Sequence, residues 1–326
     1  MVVADMASGT SARDVAVELS RQAALLAEQL DAPTAAVPTV AQPGVRAEVI
    51  ETVTTVAATL RRLGDALGLD LDEATTRHTE TGRSPANGPM PAPPVEVTVP
   101  VLGVDACAAG WVGAILEPGA PRPRIAVAGS IAALVEAVRQ SLDIQAVAID
   151  IPIGLPDDTT RQADVLTRKA LKGKASSVFT TLTRSAYAAE SRAESDTVNR
   201  GLSGQGVGAQ AYGLRDKILE VDAWVRSRPT VAVLEVHPEL SFAVMTGAPV
   251  LAKKKNDEGR AARLAALAAA GIASPSVLKG DGYAADDVLD ACAAAWTAAR
   301  RTNGLARSLP EPPETFSDGL PAAIWV

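Results

Sequence analysis

Two different periods organise the apolar positions of this chain, one helical before residue 82 and one dominated by short alternating or continuous apolar runs after residue 100. In the segment Val45 to Leu67 the residues Val49, Val53, Val56, Leu60, Leu63 and Leu67 recur at alternating intervals of four and three, the spacing of a coiled-coil seam. An earlier helix is predicted from Ala12 to Leu30, with Val15, Leu19, Ala23, Leu26 and Leu30 on one face and Ser11 with Asp14 as a capping pair. Beyond residue 100 the runs VTVPVLGVD, GWVGAILE and RIAVAGS, separated by Pro and Gly turns, predict a three-stranded meander. IAALVEAVRQSL follows as a helix, QAVAIDIPIGL as a strand, and TVAVLEVHPELSF as another strand after a long helical and loop region. A last long helix starts near Ala285 and runs through DDVLDACAAAWTAARR.

This order, a meander feeding a parallel crossover and closed by a helix, is that of an α/β domain with an RNase H-like mixed sheet flanked by helices. Between the two periods, GRSPANGPMPAPPVEV is rich in Pro, Gly and Ala and reads as a linker. The expected organisation is therefore a small all-α module over residues 1–82, a linker over 83–99 and the α/β domain over 100–326. Two helices cannot enclose a core alone, so the seam calls for a partner: a second copy in a four-helix bundle, hence a homodimer, or the second domain of the same chain.

The 326 residues are 47% hydrophobic but only 3% aromatic, so the core must be packed from Ala, Val and Leu. A net charge of −7 argues against a surface that coats nucleic acid broadly, though not against a local basic groove. Two cysteines, Cys107 and Cys292, form no disulfide framework. With no basic and apolar leader and no run approaching the ~20 apolar residues of a membrane span, the expected location is the cytoplasm.

The candidate chemistry lies in acidic residues at strand ends and helix starts. Asp105 ends the first strand of the meander, and Asp150 ends the apolar run of AIDIPIGLP, the end of a strand where ligand groups gather in open α/β sheets. Glu235, His237 and Glu239 alternate along VLEVHPEL and share a face if the strand stays regular. Asp287 and Asp290 are three apart and neighbours on the final helix, while Asp286 points elsewhere. Carboxylates crowded against β-core repel one another unless a cation compensates them; the plain alternative is that each caps a loop or decorates a helix, and that His237 is a hydrogen-bonded structural residue. Basic residues cluster twice: Arg161, Arg168, Lys169, Lys172, Lys174 and Arg184, then Lys253, Lys254, Lys255, Arg260 and Arg263. Either cluster grips phosphates or is a solvated face. Phe179 and Tyr212 are the aromatic residues best placed for base stacking, too few for a platform that tracks a single strand.

The ordered motifs GVDACAAGWV, AIDIPIGLP, SSVFTTLTR, EVHPELSF, KKKNDEGRAAR and DDVLDACAAAW, ending GLPAAIWV, resemble the family called domain of unknown function 429, a predicted RNase H-like nuclease family, over residues ~100–326. The resemblance implies hydrolysis of phosphodiester bonds in nucleic acid, DNA or RNA, with two Mg²⁺ or Mn²⁺ ions about 4 Å apart. It implies Asp105 as the bridging ligand, Asp150 and Glu235 as further ligands, and Asp287 with Asp290 closing the site. His237 is then expected to relay a proton and Lys254 or Arg184 to neutralise the scissile phosphate, with Arg161, Arg168, Lys253 and Arg260 contacting substrate. After Asp105 the family has Gly-Cys-Pro-Gly-Gly, where this chain has Ala106, Cys107, Ala108, Ala109 and Gly110. Two other classes of function stay open: a domain that binds nucleic acid or nucleotide without cutting it, and a hydrolase of small nucleotides or phosphorylated metabolites. In the N-terminal module LRRLGDALGLDLDEAT resembles MazG-like nucleotide pyrophosphohydrolases, but Gln22, Leu25, Thr52 and Thr55 occupy the positions of the metal-binding acids. The resemblance therefore implies a bundle without that chemistry.

Overall fold

The apolar runs after residue 100 assemble into one seven-stranded mixed sheet with helices on both faces. The computed structural model describes residues 90–326, so the two N-terminal helices, their seam, the MazG-like resemblance and the dimer expected from it lie outside the described residues. The strands are β1 (Val101–Cys107), β2 (Gly110–Glu117), β3 (Ala120–Ala128), β4 (Ala146–Ile149), β5 (Ala232–Val236), β6 (Ser308–Thr315) and β7 (Pro321–Trp325), ordered β3-β2-β1-β4-β5-β7-β6 across the sheet. The first three form the expected antiparallel meander, and β1, β4, β5 and β7 run parallel.

Helix α1 (Ile131–Arg139), started by the Ser130 side chain accepting from the Ala133 amide, carries the chain from β3 to β4. Between β4 and β5 lie α2 (Gln162–Ala170), a single 3₁₀ turn at Ala175–Ser177, α3 (Arg184–Ala188), α4 (Arg192–Ser203), α5 (Ala209–Gly213) and α6 (Arg215–Arg226). After β5 come α7 (Pro238–Thr246), α8 (Asp257–Ala269) and the long α9 (Ala285–Thr302). None of these helices is long and apolar enough to cross a membrane.

Strand alternation sorts the core into two layers. Val101, Val112, Ala114, Ala146, Ala148, Leu234 and Val236 face α7, α8 and α9, whereas Leu102, Val104, Trp111, Val147 and Ile149 face α1, α3 and α6. Helix α9 lies directly on β1 because both surfaces are small: Ala291 and Ala295 of the helix meet Gly103 of the strand, where a Cβ would collide with the Ala295 amide nitrogen and the Ala291 carbonyl oxygen. The alanine-rich composition is thus a packing device that brings helix backbone against strand backbone.

Three expectations change. TVAVLEVHPELSF is a strand only to Val236; Pro238, whose missing N–H costs nothing at the first helical position, opens α7 and places Glu239 in its first turn. Two C-terminal strands were not foreseen, because β6 (SLPEPPET) contains three prolines; it is tolerated as an edge strand, paired only with β7. Residues 92–99, assigned by composition to the linker, lie on the domain, with the Ala92 amide donating to the Val244 carbonyl, the Val95 amide to the Ala270 carbonyl, and the Val95 side chain buried.

Candidate metal centre

Asp105 is the fifth residue of β1 and has the same parity as Gly103, so alternation aims it at the α9 layer. Asp150 follows β4 with the parity of Ala148, on the same side of the sheet. The neighbouring strands hold the two acids in register: Val104 pairs with Ile149, and the Asp150 amide donates to the Val104 carbonyl at 3.0 Å. Asp290 descends from the second turn of α9, next to Ala291, where helix and strand approach most closely. The three acids each bring a carboxylate oxygen to within 4.8 Å of the others. Asp105 and Asp290 are buried, with 8% and 2% exposure, and Asp150 is partly exposed.

Crowding and burial disfavour charge here. Burial, then the neighbouring Asp150 and Asp290 carboxylates, hold the Asp105 carboxyl well above its usual range, against the pull of the Lys254 ammonium. Burial pushes Asp150 up to about 7 and Asp290 up to about 6, again opposed by Lys254. Lys254 donates to Asp290 Oδ2 at 2.7 Å, while Asp290 Oδ1 is buried with no hydrogen-bond partner among the described residues. An acidic triad with one ammonium at its edge and one orphaned oxygen inside fits a bound divalent cation, since hard oxygen donors are what Mg²⁺ and Mn²⁺ take.

The other acids expected at this centre are engaged elsewhere. Glu235 pairs with Ile149 across β4 and β5, a position that faces the opposite layer from Asp105 and Asp150. Its Oε2 accepts from Arg161 Nη2 at 2.6 Å and from the Ile153 amide at 2.7 Å. Burial raises the Glu235 carboxyl, against the opposing pull of Arg161 and that amide. Asp287 stays at the helix start, where its Oδ2 accepts from the Ala284 amide at 2.9 Å; burial raises it, against the lowering by that amide, and it lies near enough to add to the charge felt by Asp105.

Most of the expected phosphate contacts are likewise internal. Arg161 is fully buried between Glu235, Asp164 and Thr181. Arg184 makes a two-pronged ion pair with Asp222 and a third contact with Asp318. Arg168 donates to the Val178 carbonyl and to Thr180, and Arg260 pairs with Asp257 on the exposed start of α8. Lys253 is exposed, and Lys254 is the one cation of the set that reaches the acids.

The charged residues behind Lys254 have no distinct signature in the sequence. Glu239, delivered by the first turn of α7, accepts from Arg263 Nη2 at 2.5 Å and from Lys174 Nζ at 3.3 Å. Arg263 and Lys174 also reach the Ala252 carbonyl, so together they hold the loop that carries Lys254. The one local hint is Arg263 amid AARLAAL, a basic residue in apolar company. His237 holds the position just before α7 without a capping side-chain hydrogen bond; its Nε2 lies 3.2 Å from the Ser177 carbonyl and must donate to it, leaving the Nδ1 lone pair buried and without a partner among the described residues. Burial lowers its pKa, which keeps the ring neutral.

The described domain is thus a mixed α/β protein with an acidic triad at the carboxyl edge of its parallel strands. The chain belongs to the family described as protein of unknown function DUF429, whose model matches residues 103–315. No curated protein and no solved structure matches it.

Proposed function

We propose that this domain hydrolyses phosphodiester bonds in nucleic acid with a divalent cation, Mg²⁺ or Mn²⁺, held by Asp105, Asp150 and Asp290. One observation carries the reading: three carboxylates from β1, the end of β4 and α9 converge within 4.8 Å against the cost of their mutual repulsion. The meander that feeds a parallel crossover and is covered by an acidic helix supports an RNase H-like assignment of the fold. The donor set narrows the expectation of two cations to the single position these three acids define, because Glu235 faces the other layer.

A cation bound there would lower the pKa of a water molecule and stabilise charge on the leaving oxygen. The chain's own groups do the rest. The partly exposed Asp150 is the member of the triad open to substrate, and Lys254, at the rim, would supply a positive charge for a phosphate oxygen. The buried Glu239 and Arg263, with the partly buried Lys174, hold the Lys254 loop in place.

The test is cleavage of labelled single-stranded, duplex, RNA–DNA hybrid and branched substrates by the full chain with Mg²⁺, Mn²⁺ or EDTA. Metal-dependent cleavage that falls by at least ~100-fold in Asp105→Asn and Asp290→Asn supports the reading. Undiminished cleavage by both variants refutes it, and turnover confined to free nucleotides moves the substrate class.

A further inference from the structure

The surface carries an open groove of about 440 Å³ lined by Arg168, Ser176, Phe179, Thr180, Gly206 and Gly208. Val178 and Phe179 form part of its wall, and the same two residues line a small cavity of about 30 Å³ whose lining also includes Asp150, Glu235 and His237. The groove and the cavity that touches Asp150 thus share two lining residues, Val178 and Phe179. His237 fixes this wall from behind through the Ser177 carbonyl, and Arg168 fixes it from the side through the Val178 carbonyl and Thr180.

The chemistry of the lining is mixed in a way that suits a flat, edge-polar ligand. Phe179 contributes an aromatic side chain, Ser176 and Thr180 offer hydroxyls, and Arg168 spends Nε and Nη2 on the wall while its Nη1 makes no hydrogen bond to the described residues. Gly206 and Gly208 add no side chain of their own to the lining. At Gly208 an added Cβ would meet nothing within 4 Å, so the emptiness of the groove there is a matter of sequence and not of crowding. A volume of this size is that of a pocket for one small organic group, not of a track for a strand.

We infer that this groove takes a single nucleobase of the substrate, stacked on Phe179 with its polar edge towards Arg168, Ser176 and Thr180, and so sets the neighbouring phosphate before Asp150. The inference rests on the proposed nucleic-acid reading and adds to it the recognition of one unstacked base. A duplex keeps its bases stacked, so the groove selects single-stranded or frayed nucleic acid.

Binding and cleavage test it separately. In EDTA, the full chain is titrated into a fluorescein-labelled deoxyadenosine hexanucleotide and into an abasic hexanucleotide of equal length. The base-bearing strand should bind about 5- to 100-fold more tightly, the contribution of one stacked base. Gly208→Leu should erase that difference while leaving the fold intact, because Gly208 has an ordinary extended backbone (φ −64, ψ 145) and room for a side chain. Phe179→Ala should erase it too and Phe179→Tyr should keep it. Equal binding of the two strands, or a difference that survives Gly208→Leu in a protein with unchanged thermal unfolding, overturns the groove. Cleavage with Mn²⁺ that ignores the bases would leave hydrolysis standing without the groove; base-dependent binding without cleavage would leave the groove standing without hydrolysis.

Discussion

Neutralising one acid of the triad should stabilise the metal-free protein and abolish its stabilisation by metal. In Asp150→Asn the perturbation is close to isosteric, and the Asp150 side chain makes no hydrogen bond to the described residues whose loss would confound it. In the folded protein the carboxyl sits at about 7 against an ordinary 3.8. A group so displaced loses on the order of 4 kcal/mol on ionising, relative to the unfolded chain, and solvent screening at the partly exposed Asp150 reduces this to about 2 kcal/mol. The sign follows from proton binding. The folded state holds its proton more tightly, so stability falls as pH rises from about 4 to about 7 and stays low above that. The assay is urea unfolding of the full chain in EDTA at pH 4, 6 and 8. Asp150→Asn should match the wild type at pH 4 and exceed it by about 2 kcal/mol at pH 8. Added Mn²⁺ at a hundred times its dissociation constant should then raise the wild type by about 2.7 kcal/mol and leave the variant unmoved. A variant that is less stable than wild type at pH 8 in EDTA would refute the electrostatic argument, and equal stabilisation of both by Mn²⁺ would refute Asp150 as a ligand.

The pair that carries Glu235 should behave as structure and not as a metal site. Arg161→Met leaves a buried carboxylate without its guanidinium and should cost about 3–5 kcal/mol in urea unfolding, while Mn²⁺ affinity, measured calorimetrically on the folded fraction, should change less than about threefold. Gly103→Ala should push α9 off β1, costing about 1–3 kcal/mol or more and weakening Mn²⁺ binding, because Asp290 rides on the same stretch of helix as the displaced Ala291; unchanged metal affinity would show that the triad does not depend on this contact.

Much of the domain was legible in one dimension because its signals are local. Apolar runs broken by Gly and Pro gave the meander, the strand before Asp150 and the long helix from Ala285, and these elements carry the three acids that meet. The helix spacing that marked Asp287 and Asp290 as neighbours was correct as geometry, yet only Asp290 points at the sheet, because the Gly103 contact sets the rotation of α9. Glu235 shows the limit more sharply. An acid after four apolar residues on a strand is conspicuous, but which layer it faces depends on its pairing with Ile149, a partner more than 80 positions away. A one-residue change of register would have turned it to the triad.

The amino-acid sequence by itself determined the strand and helix segments, the close-packed alanine core and the identity of the acids, since propensity, periodicity and side-chain volume act over a few residues. Tertiary structure alone decided which acids share a layer, which of the basic residues are internal ion-pair partners, that Pro238 ends β5 and swings Glu239 into the Lys254 support, and that Phe179 lines both a surface groove and the cavity that touches Asp150. Those are outcomes of strand register and long-range packing, where the free energy belongs to contacts between distant segments and has no local pattern to betray it.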